Sequence, residues 1–153
     1  MNMKIAIILG SETDRETMEA GNKYYDYFGL AYEMLIMSAH RNPKEVHEFA
    51  SSARDNGYGV LVGAAGMAAH LAGALKSAST LPVIGVPLKG GISGGMDSLL
   101  STVQMPKGVP VATMSIGKSG AINAAILSAE IFSLFDKSLK KKLDEFKEAG
   151  AKL

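Results

Sequence analysis

The order of apolar and polar runs in this 153-residue chain predicts an α/β fold of three layers, α/β/α, around a central parallel sheet. Three observations carry that expectation. Short unbroken apolar runs such as Lys4 to Leu9 have the composition of strands covered on both faces. Stretches with helical spacing separate one such run from the next, as parallel strands require, because each needs a crossover and a helix supplies it. The length suits one core, so residues 1–153 are expected to form a single domain.

The elements follow in order. Lys4 to Leu9 is the first strand and stops at Gly10. Asp14 to Phe28 repeats its apolar and aromatic residues at helical spacing, with Thr13 or Asp14 available to cap its start and Gly29 to end it. Tyr32 to Met37 is the second strand. Asn42-Pro43-Lys44-Glu45 then announces a helix, with a capping residue, proline in the first turn and a glutamate that can reach back; it should run to about Asp55. Tyr58 to Val62 is a third strand, Met67 to Ser77 an alanine-rich helix, and Pro82 to Val86 a fourth strand. Lys89 to Gly95 has four glycines in seven residues and reads as a mobile loop. Met96 to Val103 is helical, Val109 to Met114 is the fifth strand, and Ser119 to Phe135 is a long helix of small residues. An amphipathic, charged helix from about 137 to 149 closes the chain.

Composition narrows the functions. Apolar residues are 47% and charged residues 20%, the balance of an ordinary globular protein with no membrane-spanning segment. A net charge of +1 creates no broad field for nucleic acid or an acidic membrane, so local groups must hold any anion. There is no cysteine, which excludes disulfides, thiolate metal sites and cysteine nucleophiles. No signal-peptide layout precedes the first strand, and the cytoplasm is the expected address. No pair of histidines and carboxylates stands at a ligand spacing, so no metal is expected.

Ligands of open parallel sheets bind beyond the carboxyl ends of the strands. Five junctions lie there: Gly10 to Asp14, Ser38 to Arg41, Gly63 to Gly66, Leu88 to Gly91, and Ser115 to Gly120, all small, polar or basic. Such residues let a ligand approach backbone amides, as phosphates do at helix starts. Ser11 can donate its hydroxyl to a phosphate and Asp14 can accept from a sugar diol; both can equally cap the helix. Arg41 can hold a phosphate through paired hydrogen bonds, with Ser38 adding another, or can pair with a surface carboxylate. His40 is the candidate acid/base, since imidazole gives and takes a proton near neutral pH. His47 reads as a surface residue, and His70 as a packed histidine at the start of the alanine-rich helix. Gly117-Lys118-Ser119-Gly120 lacks the spacing of a nucleoside triphosphate loop.

Five motifs occur in order: Gly10-Ser11-Glu12-Thr13-Asp14, Ser38-Ala39-His40-Arg41-Asn42-Pro43, Gly63-Ala64-Ala65-Gly66-Met67-Ala68-Ala69-His70-Leu71, Leu81 to Pro87, and Asp97 to Pro106. With them the chain closely resembles, up to about Phe135, the bacterial class I catalytic subunit of phosphoribosylaminoimidazole carboxylase, the N5-carboxyaminoimidazole ribonucleotide mutase family. The resemblance implies a doubly wound sheet of the flavodoxin-like or Rossmann-like kind and an isomerase of purine biosynthesis. It implies transfer of a carboxylate from the exocyclic nitrogen of a ribonucleotide to ring carbon C4, without ATP, metal or organic cofactor. Carried over, Ser11, Asp14, Ser38 and Arg41 bind the small-molecule ribonucleotide and His40 is the general acid/base. Ala64, Gly66, His70 and Leu71 would wall a carbon dioxide pocket, and the assembly would be a homo-octamer. The chain departs from the family's usual pattern at Ala65, Met67 and Ala72, which reshape bulk near that pocket, and at Thr13 and Asn42, which remain capping types. The related animal-type enzymes, which carboxylate directly, usually carry lysine at the position of Arg41.

Overall fold

Five strands pair side by side in the computed structural model of the chain, which describes residues 3–153: β1 (Lys4–Leu9), β2 (Tyr32–Ile36), β3 (Tyr58–Ala65), β4 (Val83–Pro87) and β5 (Ala112–Thr113). All pairings are parallel and the order is β2-β1-β3-β4-β5, the doubly wound order of the flavodoxin-like kind. Residues 1 and 2 of the expected 1–153 domain lie outside the described residues. Alternation along β1 supplies both faces. Ile5, Ile7 and Leu9 pack against α1 (Arg15–Met18), α2 (Asn22–Phe28), α6 (Lys118–Ser133) and α7 (Lys137–Glu148) through Met18, Tyr25, Phe28, Ala125 and Phe146. Ala6 and Ile8 face α3 (Pro43–Ser52) and α4 (Leu71–Ala78) through Val46, Ala50, Leu71 and Leu75. Each fully buried Ile or Leu stabilises the fold by roughly 1.5–3 kcal/mol, and the faces alternate because side chains of a strand do.

Where the strands end decides where a ligand can sit. Leu9 pairs with Ile36 on one side and Ala64 on the other, so β1, β2 and β3 finish level. Gly10 and Met37 therefore leave the sheet side by side next to the end of β3 at Ala65, at the switch point where one crossover helix goes to each face.

Several boundaries differ from the sequence expectation, each for a local reason. The helix expected over 14–28 is broken into α1, a 3-10 turn at Glu19–Gly21, and α2. Gly21 lies against α6 so closely that a Cβ there would stand 2.8 Å from the Ala121 carbonyl oxygen. The cap of this segment is Ser11, not Thr13 or Asp14 alone. Asn42 precedes α3 without a side-chain capping bond; α3 ends at Ser52, short of Asp55. β3 runs on to Ala65 because Gly63 and Ala64 still pair with both neighbours. α4 starts at Leu71 rather than Met67, since Met67 has φ +56° and cannot lie in a right-handed helix. β5 shrinks to two residues: Pro110 offers no amide to the ladder. Gly29 ends α2 in the left-handed region as expected (φ +70°), and Leu30 N–H donates to the Tyr25 carbonyl at 2.9 Å. α5 (Met96–Val103) matches its expected bounds. Among the described residues no helix is long and apolar enough to cross a membrane.

Candidate active site

Ser11 leaves β1 in extended conformation and forms a reciprocal cap with Asp14. The Ser11 hydroxyl oxygen accepts from Thr13 N–H at 3.3 Å and from the Thr13 hydroxyl at 3.0 Å, while Ser11 N–H donates to Asp14 Oδ2 at 3.1 Å. The capping reading of these two residues is therefore realised. It leaves the Ser11 hydroxyl hydrogen and Asp14 Oδ1 unspent, so capping holds the pair in place without consuming its capacity for a ligand. Partial burial pushes the Asp14 carboxyl above its ordinary value, against the opposing pull of the Ser11 amide.

Ser38 to Asn42 form a tight turn after β2. Asn42 N–H donates to the Ser38 carbonyl at 2.8 Å and Arg41 N–H to the Ser38 hydroxyl oxygen at 3.2 Å. Arg41 is exposed and pairs with no carboxylate among the described residues, unlike Arg15, which is held by Glu12. His40 projects to the third strand end: its Nε2 stands 2.7 Å from Nδ1 of His70, with the rings nearly perpendicular at 85°. His70 sits at the N-terminal cap of α4, its carbonyl accepting from Ala74 N–H at 2.9 Å. The sequence offers His70 as a packed histidine or, by the resemblance, as part of a pocket wall. It is exposed, and its partner is the other candidate histidine.

The four residues expected to wall a pocket divide. Gly66 and His70 lie at the rim, but Ala64 is 0% exposed and Leu71 2%, each inside one of the two cores. Ala64 points away because strand alternation sends its methyl to the α6 face, and Leu71 because it is the first helical residue turned under β3. The departures from the family pattern divide as well. Ala72 is buried behind β3, where a Cβ on Gly63 would stand 2.9 Å from the Ala72 Cα. Ala65 lies over Gly10 at the rim, and Met67 is 65% exposed. Ser101 braces this segment by accepting from Ala69 N–H at 2.9 Å, a role no sequence signal announced.

A cavity of about 500 Å³ opens on the other flank of Asp14, lined also by Thr17, Lys89, Lys118 and Ser119. Of the residues singled out for ligand binding, only Asp14 borders it. Lys89 lies across Gly117, within 3.9 Å of where a Cβ there would be, so two lysines line the same cavity as the Asp14 carboxylate, and neither forms an ion pair among the described residues. The signal in the sequence was two lysines next to glycines at strand ends, read as rim but not as site. The following loop has four glycines with positive φ and is tied down where Ile92 N–H donates to Asp97 Oδ2 at 3.0 Å.

Comparison with known proteins fits this arrangement. Residues 4–152 match the family described as AIR carboxylase. The N5-carboxyaminoimidazole ribonucleotide mutase of Bacillus subtilis is 51% identical over 97% of this chain and 91% of its own. The protein of that name from Escherichia coli is 42% identical over 95% and 86%. The crystal structure of Treponema denticola PurE superposes with a TM-score of 0.86 at 26% identity, over 96% of this chain and 90% of that one. A doubly wound sheet in such company is an enzyme of the mutase class. The chain belongs to the AIR carboxylase family.

Proposed function

We propose that the chain converts N5-carboxyaminoimidazole ribonucleotide to 4-carboxy-5-aminoimidazole ribonucleotide in purine biosynthesis, with His40 as the proton-exchanging group. The observation that supports this reading is the level ending of β1 and β2, from which the segments Ser11–Asp14 and Ser38–Arg41 leave neighbouring strands, in a chain half identical to a protein of that name. Arg41, which pairs with no carboxylate among the described residues, offers its guanidinium to the phosphate, with the Ser11 and Ser38 hydroxyls adding hydrogen bonds; Asp14 accepts from the ribose.

In the reaction, protonated His40 gives its proton to the exocyclic nitrogen as the N–C bond of the carbamate breaks and carbon dioxide leaves. The freed gas is held beside the electron-rich ring, and C4 attacks its carbon. The carboxylated C4 still bears hydrogen; neutral His40 removes that proton and the ring regains aromaticity. The proton given equals the proton taken, so the cycle closes on the starting enzyme. Confinement replaces the effective concentration that a bimolecular recapture would lack. The loop at residues 89–95, rich in positive-φ glycines, is suited to cover the ligand during that interval. A cytoplasmic address and a homo-octameric assembly belong to the same reading.

The test is turnover by the purified protein of each ribonucleotide in turn. Conversion of the N5-carboxy compound at low bicarbonate is expected. Carboxylation of aminoimidazole ribonucleotide by bicarbonate, with the N5-carboxy compound left unchanged, would mean a direct carboxylase instead.

A further inference from the structure

Resting on that reading, we infer that His70 is a positioning residue that fixes the tautomer of His40, so that a single nitrogen of His40 both gives and takes the proton. Between His40 Nε2 and His70 Nδ1 there are 2.7 Å, room for one hydrogen and not two. The ring centres are 4.8 Å apart, little less than the contact plus the two ring radii, so the nitrogens face each other along the line of centres. One imidazole must donate and the other accept.

The acid form of His40 decides which. An imidazolium carries hydrogen on both nitrogens, so His40 can act as an acid in this arrangement only if His70 Nδ1 is bare and accepts from His40 Nε2–H. Hydrogen on His70 Nδ1 would set two N–H groups head to head, and the contact would be lost. With His70 as acceptor, the free nitrogen of His40 is Nδ1, which makes no hydrogen bond among the described residues. When Nδ1–H passes its proton to the exocyclic nitrogen, His40 is left neutral with hydrogen still on Nε2. Nδ1 then holds the lone pair needed to take the proton from C4. No ring flip or tautomer exchange separates the two half-reactions. The logic is that of other catalytic histidines held in one tautomer by a neighbour, here with a neutral imidazole as the neighbour.

The placement of His70 suits the task. Its main chain is fixed on both sides, with its N–H donating to the Ala68 carbonyl and its carbonyl accepting from Ala74 N–H, each at 2.9 Å. The adjoining Ala69 N–H is held by Ser101 at 2.9 Å. The ring that meets His40 therefore stands on an anchored backbone at the start of α4.

Nitrogen NMR of histidine-labelled protein tests the tautomer without any turnover. The expected spectrum of wild type has a protonated Nε2 and a bare Nδ1 on neutral His40; a bare Nε2 overturns the inference. In His70→Phe, which keeps a ring but no acceptor, His40 is expected to show both tautomers, and kcat to fall roughly 10–100-fold with KM nearly unchanged. His70→Asn restores an acceptor near the Nδ1 position and should recover most of that loss, which a merely space-filling role would not predict. Unchanged kcat in His70→Phe, with His40→Asn inactive, overturns the positioning role and leaves the proposed function standing. Full turnover by His40→Asn removes the proposed function itself.

Discussion

The two ends of the one sheet treat their polar groups in opposite ways. At the amino end, Lys4 of β1 pairs with Glu33 of β2, Tyr58 of β3 donates its hydroxyl to the same carboxylate at 2.8 Å, and the lysine stands over the tyrosine ring. Each group there is answered by another of the chain, which braces three strands across their starts. At the carboxyl end the same strands finish in Ser11, Asp14, His40 and Arg41, and capacity is left over: a hydroxyl hydrogen, a carboxylate oxygen, an imidazole nitrogen and a guanidinium. A closed set of partners marks structure; a fixed set with open valences marks a place prepared for a ligand. Fixity matters as much as openness, because Ser11, Asp14, Ser38 and His40 are each held by the chain's own hydrogen bonds while keeping capacity for a ligand.

That contrast can be broken by substitution. The largest effect is expected at His40: His40→Asn should lower kcat by roughly 10²–10⁴-fold with ribonucleotide affinity largely kept, read by steady-state kinetics beside calorimetric binding. Arg41→Ala should weaken ribonucleotide binding about 10–100-fold, the worth of a charge-assisted pair of hydrogen bonds, with a smaller change in kcat. Equal affinity in that variant would return Arg41 to the status of a surface charge.

Asp14→Asn sharpens the comparison, because function and stability should move in opposite directions. Burial raises the folded-state value of Asp14 above the ordinary 3.8, so holding it ionised costs the folded chain stability. That share of stability is complete below pH 3.8 and is lost as pH rises through the raised folded value. The neutral asparagine should therefore raise Tm at pH 7, by a small amount because the half-exposed carboxylate is screened by solvent, while weakening ribonucleotide binding, and its thermal advantage should vanish in acid. Glu33→Gln at the amino end should do the reverse. Lys4 first and Tyr58 second hold the Glu33 carboxyl below its ordinary 4.5, so its contribution is present at neutral pH and fades as pH falls through that lowered value. A fall in Tm of about 1 °C is expected at pH 7, with kcat untouched.

Much of this fold was legible because its signals are local. Buried strands such as Ile5 to Leu9 write themselves as apolar runs, and Gly29 must end a helix whose last residue turns left-handed. Boundaries set by distant neighbours were not legible. The break at Gly21 exists because α6 passes within contact of it, one hundred residues later in the chain. Ala64 and Leu71 illustrate the same limit: their motif pointed to the rim, but side-chain direction is fixed by the pairing of β3 and the tilt of α4, which put both in the core.

The sequence by itself determined the layers, the strand-end chemistry and the residue types that could do it, because hydrophobic period and turn residues are properties of neighbours along the chain. Only the tertiary structure decided which of those residues meet. His40 and His70 are thirty positions apart, and no local pattern links them; the parallel pairing of β1 with both β2 and β3 brings their strand ends level and sets the two imidazoles 2.7 Å apart. Nor could a run of glycines and lysines tell that Lys89 and Lys118 line one cavity with Asp14, since that depends on how α6 returns to the face of α1.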